Sequence, residues 1–294
     1  MKILLTGASG QVGRELARSL QGLGELVAPG RAQMDLSDLD QVRAVVRAVQ
    51  PALIVNCAAY TGVDRAESEP QLAQRINAEA PAVMAAQARA LGAAMIQYST
   101  DYVFDGGSAR PYVESDATGP INVYGRTKLA GEQAVASAGI AHLILRTSWV
   151  YGMHGNNFLL TMLRLGQQRD EVRVVSDQHG APTWSGTIAG RTAQMVALAQ
   201  AGGRRWWDEN SGLYHLSSQG QTTWCGFAEA IMQAARLSCR VVPVASEAYP
   251  QAARRPHYSV LDSHKFMLRF GVLPEWRAAL AQCLASSAAG RCPE

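Results

Sequence analysis

Lysine is nearly missing from this chain. Of its 27 basic residues only Lys2, Lys128 and Lys265 are lysines, so the setting of each is informative. Net charge is low as well, +3 from 27 basic and 24 acidic residues spread along 294 positions. Nonspecific nucleic-acid binding needs a concentrated basic face, and no such partner is expected. Cysteine is scarce: five, at positions 57, 225, 239, 283 and 292, an odd count with no CxxC pair. That argues against a disulfide framework or a Cys-rich zinc site and for a reducing compartment. No uncharged apolar run approaches the roughly 20 residues that cross a bilayer. The apolar run at the start of the chain is too short for a secretory h-region. A cytoplasmic protein without a membrane partner is the expectation. Internal repeats and low-complexity segments are absent, and the Ala/Ser-rich end, 285–294, is expected to fray.

What is present is enough apolar material for a sizeable core: 48% hydrophobic against 17% charged residues. Such a balance belongs to globular chains, and this length suits one large or two modest domains. The first half alternates short apolar runs with longer periodic segments. Strands are expected at Lys2–Thr6, 25–28, Leu53–Asn56, 95–99 and 142–146. Helices are expected at 12–23, Leu39–Val49, 71–91 and 124–138. Strands apolar on both faces, separated by helices, predict an α/β fold with a doubly wound parallel Rossmann sheet covered on both sides. After residue 150 the pattern changes. Helices are expected at 157–167, 185–201 and 226–235, with a final helix near the end, and strands at 172–176, 212–217 and 241–244. We read 1–150 as the dinucleotide-binding domain, with elements returning near 185–217, and 151–294 as mainly a smaller C-terminal α/β substrate-binding lobe.

Gly7, Gly10 and Gly13 form a GxxGxxG run between the first strand and the first helix. Glycines there permit a tight turn and close backbone approach to a pyrophosphate, which sits on the helix N-terminus beside Gln11 and Val12. A plain glycine turn is the alternative. At the end of the second strand, where an NAD site places a carboxylate for the ribose, stands Arg31, which suits a 2′-phosphate and favours NADPH. Arg31 as a solvated loop charge is the other reading. Asp35 and Leu36 lie where a third strand should end, facing the adenine. Ala58, Ala59 and Tyr60 follow the next strand, where small residues let the backbone pass beside the cofactor.

Tyr124 and Lys128 stand at i and i+4 on one helix face. A nearby ammonium favours phenolate and is expected to lower the tyrosine pKa toward neutrality, so that Tyr124 exchanges a proton with a carbonyl or alcohol. An ordinary helix-surface contact is the bland reading. Ser99, Thr100 and Asp101 follow a long strand, where a hydroxyl points into the ligand crevice or merely caps the strand end.

Together the glycine loop, the strand-end hydroxyl and Tyr-x-x-x-Lys resemble the extended short-chain dehydrogenase/reductases. Residues 99–106 (STDYVFDG), 122–132 (NVYGRTKLAGE), 146–152 (RTSWVYG) and 177–183 (DQHGAPT), with the Asn156-Asn157-Phe158 run, resemble the dTDP-4-dehydrorhamnose reductase branch from residue 1 to about 280. The resemblance implies NADPH as cofactor, with NADH also accepted, a dTDP-sugar substrate, and a role in dTDP-rhamnose and cell-surface polysaccharide synthesis. It gives catalytic positions to Thr100, Tyr124 and Lys128, and sugar contacts to Asp101, Tyr102, Trp149 and Asn157. Gln178, Pro182, Arg254 and Arg255 are assigned to the dTDP end, a guanidinium suiting a diphosphate. Trp149 as interdomain core, and the two arginines as solvated charges, stay open. Glu15 matches one acidic position of a metal-bridged dimer contact in some members. The remaining positions do not match, so a homodimer is entertained without a required metal. An epimerase or 4,6-dehydratase shares the fold, but dehydratases carry Glu where Tyr102 stands. A non-catalytic NADP-binding subunit of a methionine adenosyltransferase is the alternative outside enzymes.

Overall fold

The apolar runs KILLT, LIVN, AMIQYST and HLILRT are buried almost throughout and pair side by side as inner strands of a parallel sheet. The computed structural model describes residues 1–249 and 251–289. The chain runs β1 (Lys2–Thr6), α1 (Gln11–Ser19), β2 (Glu25–Val27), α2 (Leu39–Val49), β3 (Leu53–Asn56), α3 (Val63–Ser68) and α4 (Pro70–Gln74). A π-helical turn over Arg75–Glu79 leads to α5 (Ala80–Leu91), β4 (Ala94–Thr100), α6 (Val123–Ala136) and β5 (His142–Thr147). Then come β6 (Val150–Tyr151), α7 (Phe158–Gln168), β7 (Glu171–Val175), β8 (His179–Gly180), β9 (Thr183–Trp184), α8 (Ser185–Asn210) and β10 (Gly212–His215). The chain continues with β11 (Thr222–Thr223), α9 (Trp224–Ala234), β12 (Arg240–Val244), α10 (His264–Phe270) and α11 (Trp276–Ala289). The six-stranded sheet has the order β10-β5-β4-β3-β1-β2, the doubly wound arrangement expected from the sequence.

Alternation within each strand sorts side chains to two faces. Ile3, Leu5, Val55, Ile96 and Leu145 pack with Leu16 and Leu20 of the α1 region and with Ile188 and Met195 of α8. Leu4, Ile54, Met95 and Ile144 pack with Val42 and Val46 of α2 and with Met84 and Ala88 of α5. A separate core forms beyond the sheet from Leu159, Met162, Val172, Phe227, Ile231 and Trp276, with β7 and β12 paired in parallel above it. α8 packs against the sheet's first face, and β10 closes the sheet beside β5.

Several boundaries differ from expectation, each for a local reason. The third strand expected to end at Asp35 and Leu36 does not form. Gln33 and Met34 instead donate backbone N–H groups to the Gly30 carbonyl (2.9 and 3.0 Å), making a tight turn. Asp35 folds back to accept the Ser37 amide and hydroxyl at 2.9 and 2.8 Å, and Leu36 is buried in the second core cluster. The first helix stops at Ser19, short of residue 23. The helix expected over 71–91 contains the π-turn, and the one expected to stop at 201 runs on to Asn210 across a break at Gly203. The C-terminal helix is continuous through Ala289. Of the end expected to fray, residues 290–294 lie outside the described part, as does the cysteine at 292.

Candidate active site

Backbone crowding makes the glycine loop specific. Gly7 has φ +68°, and a Cβ there would stand 2.7 Å from the Ala58 amide nitrogen. A Cβ on Gly13 would stand 2.0 Å from the Gly7 carbonyl oxygen, so the loop closes tightly on the start of α1. No side chain caps α1, and its first turn holds no acidic residue, which leaves N–H groups directed outward. This cradle fits a dinucleotide pyrophosphate. Ala58 is fixed beside it, its amide donating to the Thr6 hydroxyl at 3.3 Å. Tyr60 reaches away to donate to Glu69 at 2.5 Å. Arg31 is 78% exposed at the end of β2 and makes only a loose pair with Asp35, 3.6 Å apart. That pair and the Ser37 bonds commit the Asp35 carboxylate, and Leu36 is in the core. Both residues thus stand in a turn rather than at a strand end, with Asp35 engaged by Ser37 and Arg31 and Leu36 buried.

The strand-end hydroxyl and the Tyr-x-x-x-Lys helix meet at the carboxyl end of β4. A Cβ on Gly125 would stand 2.1 Å from the Tyr102 carbonyl oxygen, so α6 presses directly on the turn Asp101–Val103. Asn122 caps α6 by accepting the Gly125 amide at 2.8 Å. The Thr100 hydroxyl is near enough to the Tyr124 phenol to favour its charged form. The Tyr102 and Tyr124 rings meet edge to face, centroids 5.9 Å apart. Lys128 is buried, its Nζ donating to the Tyr98 carbonyl at 2.7 Å.

The electrostatics correct one expectation. Tyr124 is not lowered by Lys128: desolvation pushes it up to about 12, the Thr100 hydroxyl pulls the other way, and the Asp101 charge raises it further. Burial brings Lys128 down to about 8, with the Glu132 and Cys57 charges opposing. The protein by itself holds the phenol protonated, the form that donates.

Of the proposed substrate contacts, Tyr102 and Asp101 line this junction. Trp149, at φ +46°, stacks on Trp224 with centroids 3.6 Å apart and lies against Gly180, joining the sheet's end to the separate core beyond the sheet. Pro182 is buried beside it, and buried Gln178 donates to Ser246 at 2.9 Å. Asn157 is committed within the protein. Its oxygen caps α7 by accepting the Leu160 amide at 3.0 Å. Its amide donates to Gln11 at 2.9 Å and to the carbonyls of Gly152 and His154. It therefore pins the segment before α7 to the start of α1, with its amide hydrogens engaged and one lone pair of its oxygen used by the cap. Arg255 is taken as well, forming a bidentate pair with Asp64 at 3.0 and 2.6 Å, and its guanidinium holds Asp64 below the usual carboxylate range. Arg254 is exposed, with its carbonyl accepting from Asn122 at 2.8 Å. Among the described residues no cluster of three or more His, Cys, Asp or Glu could hold a metal ion.

Residues not singled out from the sequence complete the site. Asn77, buried in the π-turn, accepts the Tyr60 amide at 2.8 Å and donates to the Tyr60 carbonyl and the Thr127 hydroxyl. It clamps the loop after β3 to the helix that carries Lys128. A π-turn is a frequent mark of function, but helical periodicity alone does not reveal it. Glu132, one turn beyond Lys128, forms a buried bidentate pair with Arg146 at 2.9 and 2.7 Å. Ser148 and Ser259 both donate to Asp101.

A family model described as RmlD substrate binding domain matches residues 1–289. A dTDP-4-dehydrorhamnose reductase of Burkholderia thailandensis is 48% identical over 97% of this chain and 98% of that protein. One of Escherichia coli K12 is 45% identical, covering 97% of each. A crystal structure of the Bacillus anthracis reductase in complex with NADP superposes with a TM-score of 0.90 at 36% identity, covering 97% of this chain and 99% of that one. With the cradle, the strand-end threonine and the Tyr-x-x-x-Lys helix in place, this chain belongs to the dTDP-4-dehydrorhamnose reductase family.

Proposed function

We propose that the protein reduces the C4 keto group of dTDP-4-dehydro-L-rhamnose to the alcohol of dTDP-L-rhamnose, within dTDP-rhamnose and cell-surface polysaccharide synthesis. The observation that carries this is the Thr100 hydroxyl beside the Tyr124 phenol at the carboxyl end of β4, in the same parallel sheet whose β1 leads into the glycine cradle. NADPH bound in that cradle supplies the hydride. Tyr124 gives its phenolic proton to the keto oxygen as negative charge develops there, and Thr100 donates a hydrogen bond to the same oxygen. Lys128, fixed by the Tyr98 carbonyl, presents a cation beside the nicotinamide ribose and stabilises the phenolate that Tyr124 becomes. We assign the sheet half to the cofactor and 151–294 mainly to the nucleotide sugar. Trp149 packs on the sugar's edge, Asp101 and Tyr102 line its pocket, and Gln178 and Pro182 shape the dTDP end. Arg254 rather than Arg255 faces the diphosphate, because Arg255 is held by Asp64. The reading extends to a homodimer in the cytoplasm, which a mass measurement in solution tests for the dimer.

The deciding experiment follows NADPH absorbance with enzymatically made dTDP-4-dehydro-L-rhamnose, beside a UDP-linked 4-keto sugar. Oxidation with the dTDP sugar alone is expected. Folded protein that binds NADPH and oxidises it with neither sugar overturns the assignment. Cofactor choice has its own expected result. Arg31 is exposed and weakly held, so it is free to meet a 2′-phosphate, a contact to a charged group worth about 1.5–3 kcal/mol. Arg31→Ala raises the KM for NADPH by roughly tenfold, the lower end of that range for an exposed group, and leaves that for NADH nearly unchanged. Equal effects on the two cofactors show that Arg31 does not read the phosphate.

A further inference from the structure

The Thr100 hydroxyl has one proton and two claims on it. Its oxygen accepts the Tyr102 amide at 3.2 Å, and its proton goes to an Asp101 carboxylate oxygen 3.0 Å away. An ionised carboxylate only accepts, so this direction is fixed while Asp101 is charged. Asp101 is 2% exposed, and its second oxygen accepts Ser148 at 3.1 Å and Ser259 at 2.5 Å. The groups facing it are hydroxyls: Thr100 and Tyr102 of its own turn, Tyr124 of α6, Ser148 beyond β5 and Ser259 of the C-terminal segment. Arg255, the cation of this cluster, is engaged by Asp64 and Tyr102. Asp101 is thus a buried carboxyl with no ion-pair partner among the described residues. The reduction nonetheless needs Thr100 to donate toward the substrate.

We propose that Asp101 is a positioning residue whose neutral form turns the Thr100 proton from Asp101 to the substrate's keto oxygen, so that Thr100 and Tyr124 donate to that oxygen together. The inference rests on the reductase reading above. In the neutral form the Asp101 O–H donates to the Thr100 oxygen, and the Thr100 O–H swings to the ketone. No bond at Thr100 is made or broken, and Asp101 takes its proton from solvent before the cleft fills. Burial pushes Asp101 up to about 6 against the three hydroxyls that pull it down, so the neutral form is accessible. Anionic cofactor and substrate push the same way. Neutralising Asp101 also removes a charge that raises Tyr124, which eases the loss of the phenolic proton.

The test is kcat/KM with NADPH and the dTDP-4-keto sugar against pH, for wild type, Asp101→Asn and Ser259→Ala, with thermal unfolding as the check on folding. Wild type falls as pH rises through the Asp101 titration, starting near pH 6. In Asp101→Asn the amide N–H donates to Thr100 as the neutral acid does, and this descent disappears. Ser259→Ala removes a donor to the carboxylate, so Asp101 keeps its proton longer and the descent moves to higher pH. A purely structural role lowers all rates evenly at every pH. Persistence of the descent in Asp101→Asn, or no upward move in Ser259→Ala, overturns the proposal. If Asp101→Asn does not fold, Ser259→Ala alone decides. Absence of wild-type turnover overturns the reductase reading and this inference with it. Wild-type turnover with an unmoved descent overturns Asp101 alone.

Discussion

Tyr124→Phe lowers kcat by about 10²–10⁴-fold while NADPH still binds, because the change removes only the proton donor. The ring keeps its edge contact with Tyr102, and the cap at Asn122 and the packing of Gly125 on the Tyr102 carbonyl stay in place. Thr100 remains, but its proton lies toward Asp101 in the ionised state, and a hydroxyl of ordinary acidity does not replace a phenol as acid. The effect therefore appears in kcat, with little change in the KM for NADPH. Steady-state kinetics with fluorescence titration of NADPH separates the two. Turnover within threefold of wild type sinks the role given to Tyr124.

Glu132→Ala costs about 3–5 kcal/mol of stability, read from the shift in urea midpoint. Arg146 and Glu132 are about 5% exposed and bonded through two hydrogen bonds, and the Arg146 guanidinium also lies 5.1 Å over the Phe104 ring. Removing the carboxylate leaves a cation with no counterion in a dry site, the costly half of a buried pair. Lys128 loses its main opponent to burial as well, and so becomes neutral at lower pH than about 8. Replacement by Gln keeps one acceptor for Arg146 but turns an NH2 donor toward its other N–H, so it restores only part of the loss. A loss below about 1 kcal/mol in the Ala variant contradicts this account of the pair. His215 adds an acid limb to stability. Burial first and Arg146 second push it from 6.5 down to about 3 in the folded state. Between those values only the unfolded chain binds the proton, so stability falls as pH falls through that window.

The inner strands were legible because each is a segment of four to seven residues centred on three or four apolar ones, and α2 was legible at both ends. Asp38 caps it by accepting the Asp40 and Gln41 amides, and Pro51 follows it. The glycine loop and the Tyr-x-x-x-Lys helix were readable because their spacing is itself the geometry. What escaped depends on partners distant in sequence. Arg255 looked free because its partner Asp64 lies 191 positions away. Lys128 looked like a charge aimed at Tyr124, while its Nζ is held by a strand carbonyl. Asn157 carried a local signal, an amide directly before a helical run, that marks a helix cap. Burial of Asp101 without a cation had no signature in the sequence, since Ser148 and Ser259 come to it from separate segments.

The position of β10 at the edge of the sheet has a consequence for the birth of the chain. During synthesis β5 emerges with one side unpaired, and its partner β10 follows only after β6 to α8 have been made. At roughly 5–20 residues per second, the nascent sheet carries an open, apolar edge for several seconds. The long helix α8, which covers one face, arrives in the same late instalment. The strands made first are thus left without the edge strand and the helix that complete their sheet. A ribosome stalled before residue 212 displays an unfinished sheet, open to chaperone capture or edge-to-edge pairing with its neighbours.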